Sequence, residues 1–134
     1  MTQILDRISQ VASNYDAIVL DQYGVLHDGT SPYNGAIECL TKLANSGSRL
    51  AVLSNSGKRS ASNAVRILSM GFADSLFDVI MTSGEALWND ILTGTIIERS
   101  FFPVESRPGD AIKWGQGLDI QFKDSVNTAE AVLL

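Results

Sequence analysis

Three short apolar runs, Ala17 to Leu20, Leu50 to Leu53 and Val79 to Met81, each end in small or polar residues and each lead into a helical pattern. This alternation limits the possible folds more than any other feature of the chain. Runs with almost no polar interruption suit parallel strands buried on both faces. Ala36, Ile37, Leu40, Leu43 and Ala44 mark a helix closed by Gly47, and Ala61, Ala64, Val65 and Leu68 mark a second stopped by Gly71. Glu85 to Leu92 reads as a third. Strand and helix therefore alternate from residue 17 to residue 93, with connections too long for hairpins. That pattern predicts an α/β fold, a parallel sheet covered by helices.

The flanks are less regular. Ile4, Ile8, Val11 and Ala12 recur at helical spacing, so residues 3 to 13 are expected to form an amphipathic opening helix. Gly24 to Gly35 reads as a long loop or small hairpin. Ser100 to Val104, Leu118 to Phe122 and Ala131 to Leu134 read as three further strand pieces around a Gly-rich, partly helical stretch. With 134 residues and neither repeat nor linker, the chain reads as one domain, large enough for a core without disulfides or a structural metal. Its single cysteine, Cys39, points to a reducing compartment. Ten basic against fifteen acidic residues give a net charge of −5, which disfavours nucleic acid and anionic membranes as partners. The apolar runs are far shorter than a membrane span, and the N-terminus has no signal-peptide core. A soluble cytoplasmic protein is expected.

Ligands of open parallel sheets bind beyond the carboxyl ends of the strands. Those ends here are Asp21-Gln22-Tyr23-Gly24, Ser54-Asn55-Ser56-Gly57 and Thr82-Ser83-Gly84. A carboxylate directly after a buried strand is held rigidly yet open to the crevice, as a nucleophile or metal ligand must be. Hydroxyls and backbone N–H groups at the next strand end suit an anion. The plainer alternative is that Asp21 caps a turn and Ser54-Asn55 caps the following helix.

At these residues the sequence resembles a family. Ala17 to Gly29, AIVLDQYGVLHDG, is similar to the first motif of the haloacid dehalogenase superfamily, and Leu50 to Asn55, LAVLSN, resembles its second. Tyr33 to Ala36 and Val79 to Glu85 extend the likeness. Together they resemble subfamily IIA, which includes the pyridoxal-phosphate, phosphoglycolate and nucleotide phosphatases with a large inserted cap. The resemblance implies a three-layer, Rossmann-like parallel sheet with helices on both faces. Residues 1 to 134 would be a partial core, its N-terminal half only, ending before the cap.

What the resemblance further implies is a magnesium-dependent phosphohydrolase acting on a small phosphorylated metabolite. Asp21 would attack phosphorus and become an aspartyl phosphate. Magnesium would be held by Asp21 and the backbone carbonyl of Tyr23. Ser54, with the backbone N–H groups of Asn55 and Gly24, would cradle the phosphoryl oxygens. Tyr23 departs from the pattern by standing where most such phosphatases carry a second Asp, and a phenol with an unperturbed pKa near ~10 is a poor general base. Slow turnover of the phosphoenzyme is expected, with His27, the only histidine, as a substitute proton carrier or as packing beneath the loop. Nothing matches the family's third and fourth motifs. The Asp21 strand would then keep an unpaired edge, so a homodimer through that edge or a piece of a longer chain is expected.

The competing class is a non-hydrolytic phosphate- or metal-binding module of the same fold. A phosphoacceptor receiver domain fits poorly, because the first strand ends in one Asp and the third in Thr82-Ser83. A dinucleotide-binding domain fits less well, since no Gly-x-Gly-x-x-Gly follows Leu20. Cys39, Trp88 and Trp114 read as packing residues. Arg59, Lys113 and Lys123 read as solvated charges, and Arg107 to Asp110 as a turn.

Overall fold

The computed structural model describes residues 4–134 and contains two three-stranded sheets. The architecture is α/β, with parallel sheets and helices, as the alternation predicts. In the first sheet β1 (Ala17–Leu20) pairs in parallel with β2 (Arg49–Ser54), Leu20 standing opposite Val52. β3 (Val79–Thr82) lies on the other side of β2. The intervening helices are α1 (Ala36–Asn45) and α2 (Ser60–Ser69). β1 is thus an edge strand among the described residues.

The chain divides into two compact units, residues 1–54 with 61–81 and residues 55–60 with 82–134. No linker marks the division in the sequence. The core of the first unit is built from Leu20, Leu50 and Val52 of the sheet with Leu40 and Leu43 of α1 and Ile67 of α2. The expectation that the strands are buried on both faces is not met. Val19 is 64% and Leu53 57% exposed, while their neighbours Leu20 and Val52 are buried. The physical reason is topological. The sheet order β1-β2-β3 follows the chain order, and successive right-handed crossovers in one direction put both helices on the same face.

The expected opening helix is also absent. Residue 3 lies outside the described residues, and residues 8–10 and 12–14 form two 3-10 turns instead. The Gln10 side chain accepts from the backbone N–H groups of Asp6 and Arg7, closing the first turn locally. An eleven-residue amphipathic segment rich in β-branched residues and serine is too short to hold an α-helix by propensity.

In the second unit β4 (Ser100–Pro103) is the central strand, flanked in parallel by β5 (Gln121–Phe122) and β6 (Ala131–Leu133). Ile91, Phe101, Ala111, Trp114 and Leu133 form its core with α3 (Ser83–Leu92) and α4 (Asp110–Trp114). Glu130 joins two strands rather than forming a site. Its Oε2 accepts from the N–H groups of Arg99 and Ser100, both at 2.8 Å, and these bonds hold its carboxyl below the usual range.

Within this unit residues 55–60 are bound to the start of α3. Thr82, fully buried, caps α3 by accepting from the Glu85 N–H at 3.0 Å and donates to the Lys58 carbonyl at 2.6 Å. The Arg59 guanidinium makes a two-pronged pair with Glu85 at 2.8 and 2.9 Å and lies 3.8 Å over the Trp88 ring. Arg59 is therefore not a solvated charge. Glu85 Oε2 also accepts from the Ser60 N–H. The Arg59 bond is the main reason the Glu85 carboxyl is held below its ordinary value of 4.5.

A folded pKa below the unfolded one adds stability at neutral pH that is lost as pH falls through the folded value. Glu85→Gln is expected to cost about 1–3 kcal/mol at pH 7, since it removes the charge from a two-pronged, largely covered pair with Arg59. Thermal melts from pH 7 to pH 3 should show the gap between wild type and variant closing below about pH 4. A gap independent of pH would show that the pair adds nothing through its charge.

No helix among the described residues is long and apolar enough to cross a membrane.

Candidate functional site

Asp21 is the first residue past β1, and Ser54 is the last residue of β2. Because the strands are adjacent and parallel, with Leu20 opposite Val52, both residues stand at the same carboxyl edge of the sheet. Asp21 is exposed, and its Oδ1 accepts from the Gln22 N–H at 2.7 Å. Ser54 is buried at 8% exposure. Asn55 follows it in the chain and belongs to the second unit. A groove of about 920 Å³ opens at the amino edge instead, lined by Arg7, Asp16, Cys39 and Lys42 among others, and has no part in this arrangement.

The loop after Asp21 folds back in two steps. The Gln22 carbonyl accepts from the N–H groups of Val25, Leu26 and His27, which makes one helical turn, and the Gly24 N–H donates to the His27 carbonyl at 2.9 Å. Residues 27 to 32 then form a tight hairpin, with His27 bridged to Pro32. Asp28 Oδ1 caps it by accepting from the Thr30 and Ser31 N–H groups, both at 2.8 Å. The sequence thus announces this element through Asp28-Gly29-Thr30-Ser31-Pro32.

His27 is 1% exposed, and its Nδ1 accepts from the Gly29 N–H at 3.0 Å. That bond places the neutral ring's proton on Nε2, which has no partner among the described residues. Burial lowers the pKa first and the Arg66 charge second, against smaller opposing effects of Asp28 and Asp21. Tyr23 is the reverse case, 70% exposed, its ring edge-on to His27 at 6.3 Å. Beside it Gly29, at φ +102°, comes so close that a Cβ there would stand 3.2 Å from Tyr23 Cε2.

The residues implied as magnesium ligands supply two hard oxygen donors, the exposed Asp21 carboxylate and the Tyr23 carbonyl. Among the described residues the loop's backbone bonds run to the Gln22, Leu26, His27 and Ser31 carbonyls and leave the Tyr23 carbonyl out. Such a donor set fits a cation that keeps most of its waters. No group of three or more acidic, His or Cys residues gathers as a metal site among the described residues.

Residues 18–95, more than half of the chain, match the family of haloacid dehalogenase-like hydrolases. The chain belongs to that family. Solved structures agree in fold. A haloacid dehalogenase-like hydrolase from Brucella suis 1330 superposes with a TM-score of 0.80 at 23% identity, over 96% of this chain and 45% of that one. A hypothetical protein from Pyrococcus horikoshii OT3 superposes at 0.58 with 26% identity, over 81% of this chain and 40% of that one. The chain thus spans less than half the length of either. No curated protein matches the sequence.

In this haloacid dehalogenase-like chain the structure gathers Asp21, Tyr23, Gly24, His27 and Ser54 in the first unit, the first four in one strand-end loop. Arg66 also contacts this loop. It lies on the exposed side of α2, and its Nη2 donates to the Gly29 carbonyl across 37 residues of chain. No local pattern signals such a contact. Glu85, by contrast, had a visible signal in Thr82-x-x-Glu85, a capping pattern that moves the start of α3 back to Ser83.

Proposed function

We propose that the chain carries the nucleophile and phosphate-binding segments of a magnesium-dependent phosphatase acting on a small phosphomonoester. The observation that supports this reading is the placement of Asp21 and Ser54 at one carboxyl edge of adjacent parallel strands. Asp21 attacks phosphorus, its backbone fixed by β1 and its carboxylate open to solvent. Ser54 and the Gly24 N–H hold the phosphoryl oxygens, as the family pattern assigns them. Asp21 and the Tyr23 carbonyl are the magnesium ligands of this reading, and the ion supplies charge compensation between carboxylate and phosphate. The test is phosphate release by the full-length protein from a panel of phosphomonoesters, with and without magnesium.

His27 holds the loop in this reading and carries no proton to substrate, because its ring is buried and its Nδ1 is committed to Gly29. His27→Asn, whose amide oxygen replaces Nδ1 as acceptor, is expected to leave the pH–rate profile of the full-length enzyme unchanged. A lost or shifted limb of that profile would return His27 to proton transfer.

A second reading, a phosphate- or metal-binding module without turnover, is favoured by one observation. The position where such phosphatases carry an acid holds an exposed phenol, Tyr23. Tight phosphate binding without phosphate release from any ester would support it.

A further inference from the structure

Arg66 reaches the loop after β1 from α2. Lys42 pairs with Glu38, Arg49 with Asp78 and Arg59 with Glu85, while no ion pair among the described residues includes Arg66. Arg66 is exposed on α2, and its printed hydrogen bond runs to backbone rather than to a carboxylate. Its place is specific. Nη2 donates to the Gly29 carbonyl and stands 3.5 Å from where a Gly29 Cβ would be, on the spot that the Tyr23 ring also approaches. The nearest carboxylate of the hairpin, Asp28, already has its Oδ1 committed to Thr30 and Ser31. Asp21 opens the same loop whose hairpin holds Gly29, so Arg66 and Asp21 both border that loop.

We propose that Arg66 and Tyr23, brought together across Gly29, form the subsite for the part of the substrate beyond the scissile phosphoryl group, and that this part carries a second anionic group. The guanidinium fork matches a carboxylate or phosphate with two parallel bonds, and the Gly29 carbonyl holds it in place before the ligand arrives. The exposed Tyr23 ring offers an apolar face to the carbon skeleton between the two anions. Gly29 is required, since a side chain would press on the Tyr23 ring and alter the spacing of the pair. The inference rests on the phosphomonoester reading of Asp21 for the location of the first anion.

The experiment is calorimetric binding to the full-length protein of two probes of equal chain length, 3-phosphoglycerate and glycerol 3-phosphate, which differ in one carboxylate. Wild type is expected to prefer 3-phosphoglycerate by roughly 10- to 100-fold, the usual range for a charge-assisted hydrogen-bonded pair. Arg66→Gln is expected to bring the ratio of the two affinities close to one, with Arg66→Lys between. A purely structural role in holding the hairpin would lower both affinities alike and leave the ratio intact, which would overturn the proposal. Equal affinities in wild type would overturn it without any variant. Phosphate release from the same probes is measured separately. Preference without release would contradict the phosphatase reading and leave the anion subsite standing, and release without preference would do the reverse.

Discussion

An Asp21→Asn variant of the full-length protein is expected to fold as wild type and to release phosphate at least roughly a thousandfold more slowly. The side chain is exposed at the strand end, and the hydrogen bond it accepts from the Gln22 N–H is kept by the amide oxygen. Little stability is therefore at stake. The amide cannot attack phosphorus and is a poorer ligand for a hard cation, so chemistry and metal affinity fall together. Far-ultraviolet circular dichroism and a phosphate-release assay on the same preparation separate loss of fold from loss of function. Turnover within a few-fold of wild type would place the chemistry elsewhere.

The second large effect is structural. Gly84→Ala is expected to destabilise the chain by about 3 kcal/mol or more, the upper end of overpacking costs. A Cβ at Gly84 would stand 2.0 Å from the Gly57 carbonyl oxygen and 2.4 Å from its carbon, and backbone cannot move aside as a flexible side chain can. The position is also fixed from two other sides. The Gly84 N–H donates to the Ser56 carbonyl at 3.0 Å, and the buried Trp114 indole donates to the Gly84 carbonyl at 2.9 Å. Relief of the clash must break one of these bonds or shift the loop that follows β2. A thermal melt should fall by roughly 10 °C. A change of one or two degrees would mean that the approach of α3 to this loop relaxes easily.

Much of the first unit was legible because its signals are local. The runs ending at Leu20, Leu53 and Met81 are strands within one residue of their expected ends, and the apolar stripes of α1 and α2 mark their buried faces. Asp21 and Ser54 were placed at one sheet edge because consecutive parallel strands put their carboxyl ends together. The features that were not legible depend on topology or on distant partners. One-sided burial at Val19 and Leu53 follows from the direction in which the sheet grows, which an apolar run does not encode. The Arg59–Glu85 pair joins residues 26 apart, and Arg66 reaches Gly29 across 37, so each reads alone as a surface charge. The opening segment shows the opposite case, since its helical periodicity is real but little of it is buried, and propensity alone does not hold so short a helix. In the tail, β5 is two residues where five were expected, because Leu118 and Ile120 pack into the core from the turn before the strand.

If Asp21 is the nucleophile, its phosphorylated form can be captured during turnover. The full-length protein would be mixed with a hydrolysable phosphomonoester and magnesium, quenched rapidly, reduced with borohydride and digested for mass spectrometry. An acyl phosphate is converted by reduction to the alcohol, so homoserine is expected at position 21 in the peptide spanning β1 and its loop, dependent on substrate and absent from Asp21→Asn. Phosphate release with position 21 unmodified, or with the reduced residue at another aspartate, would contradict it.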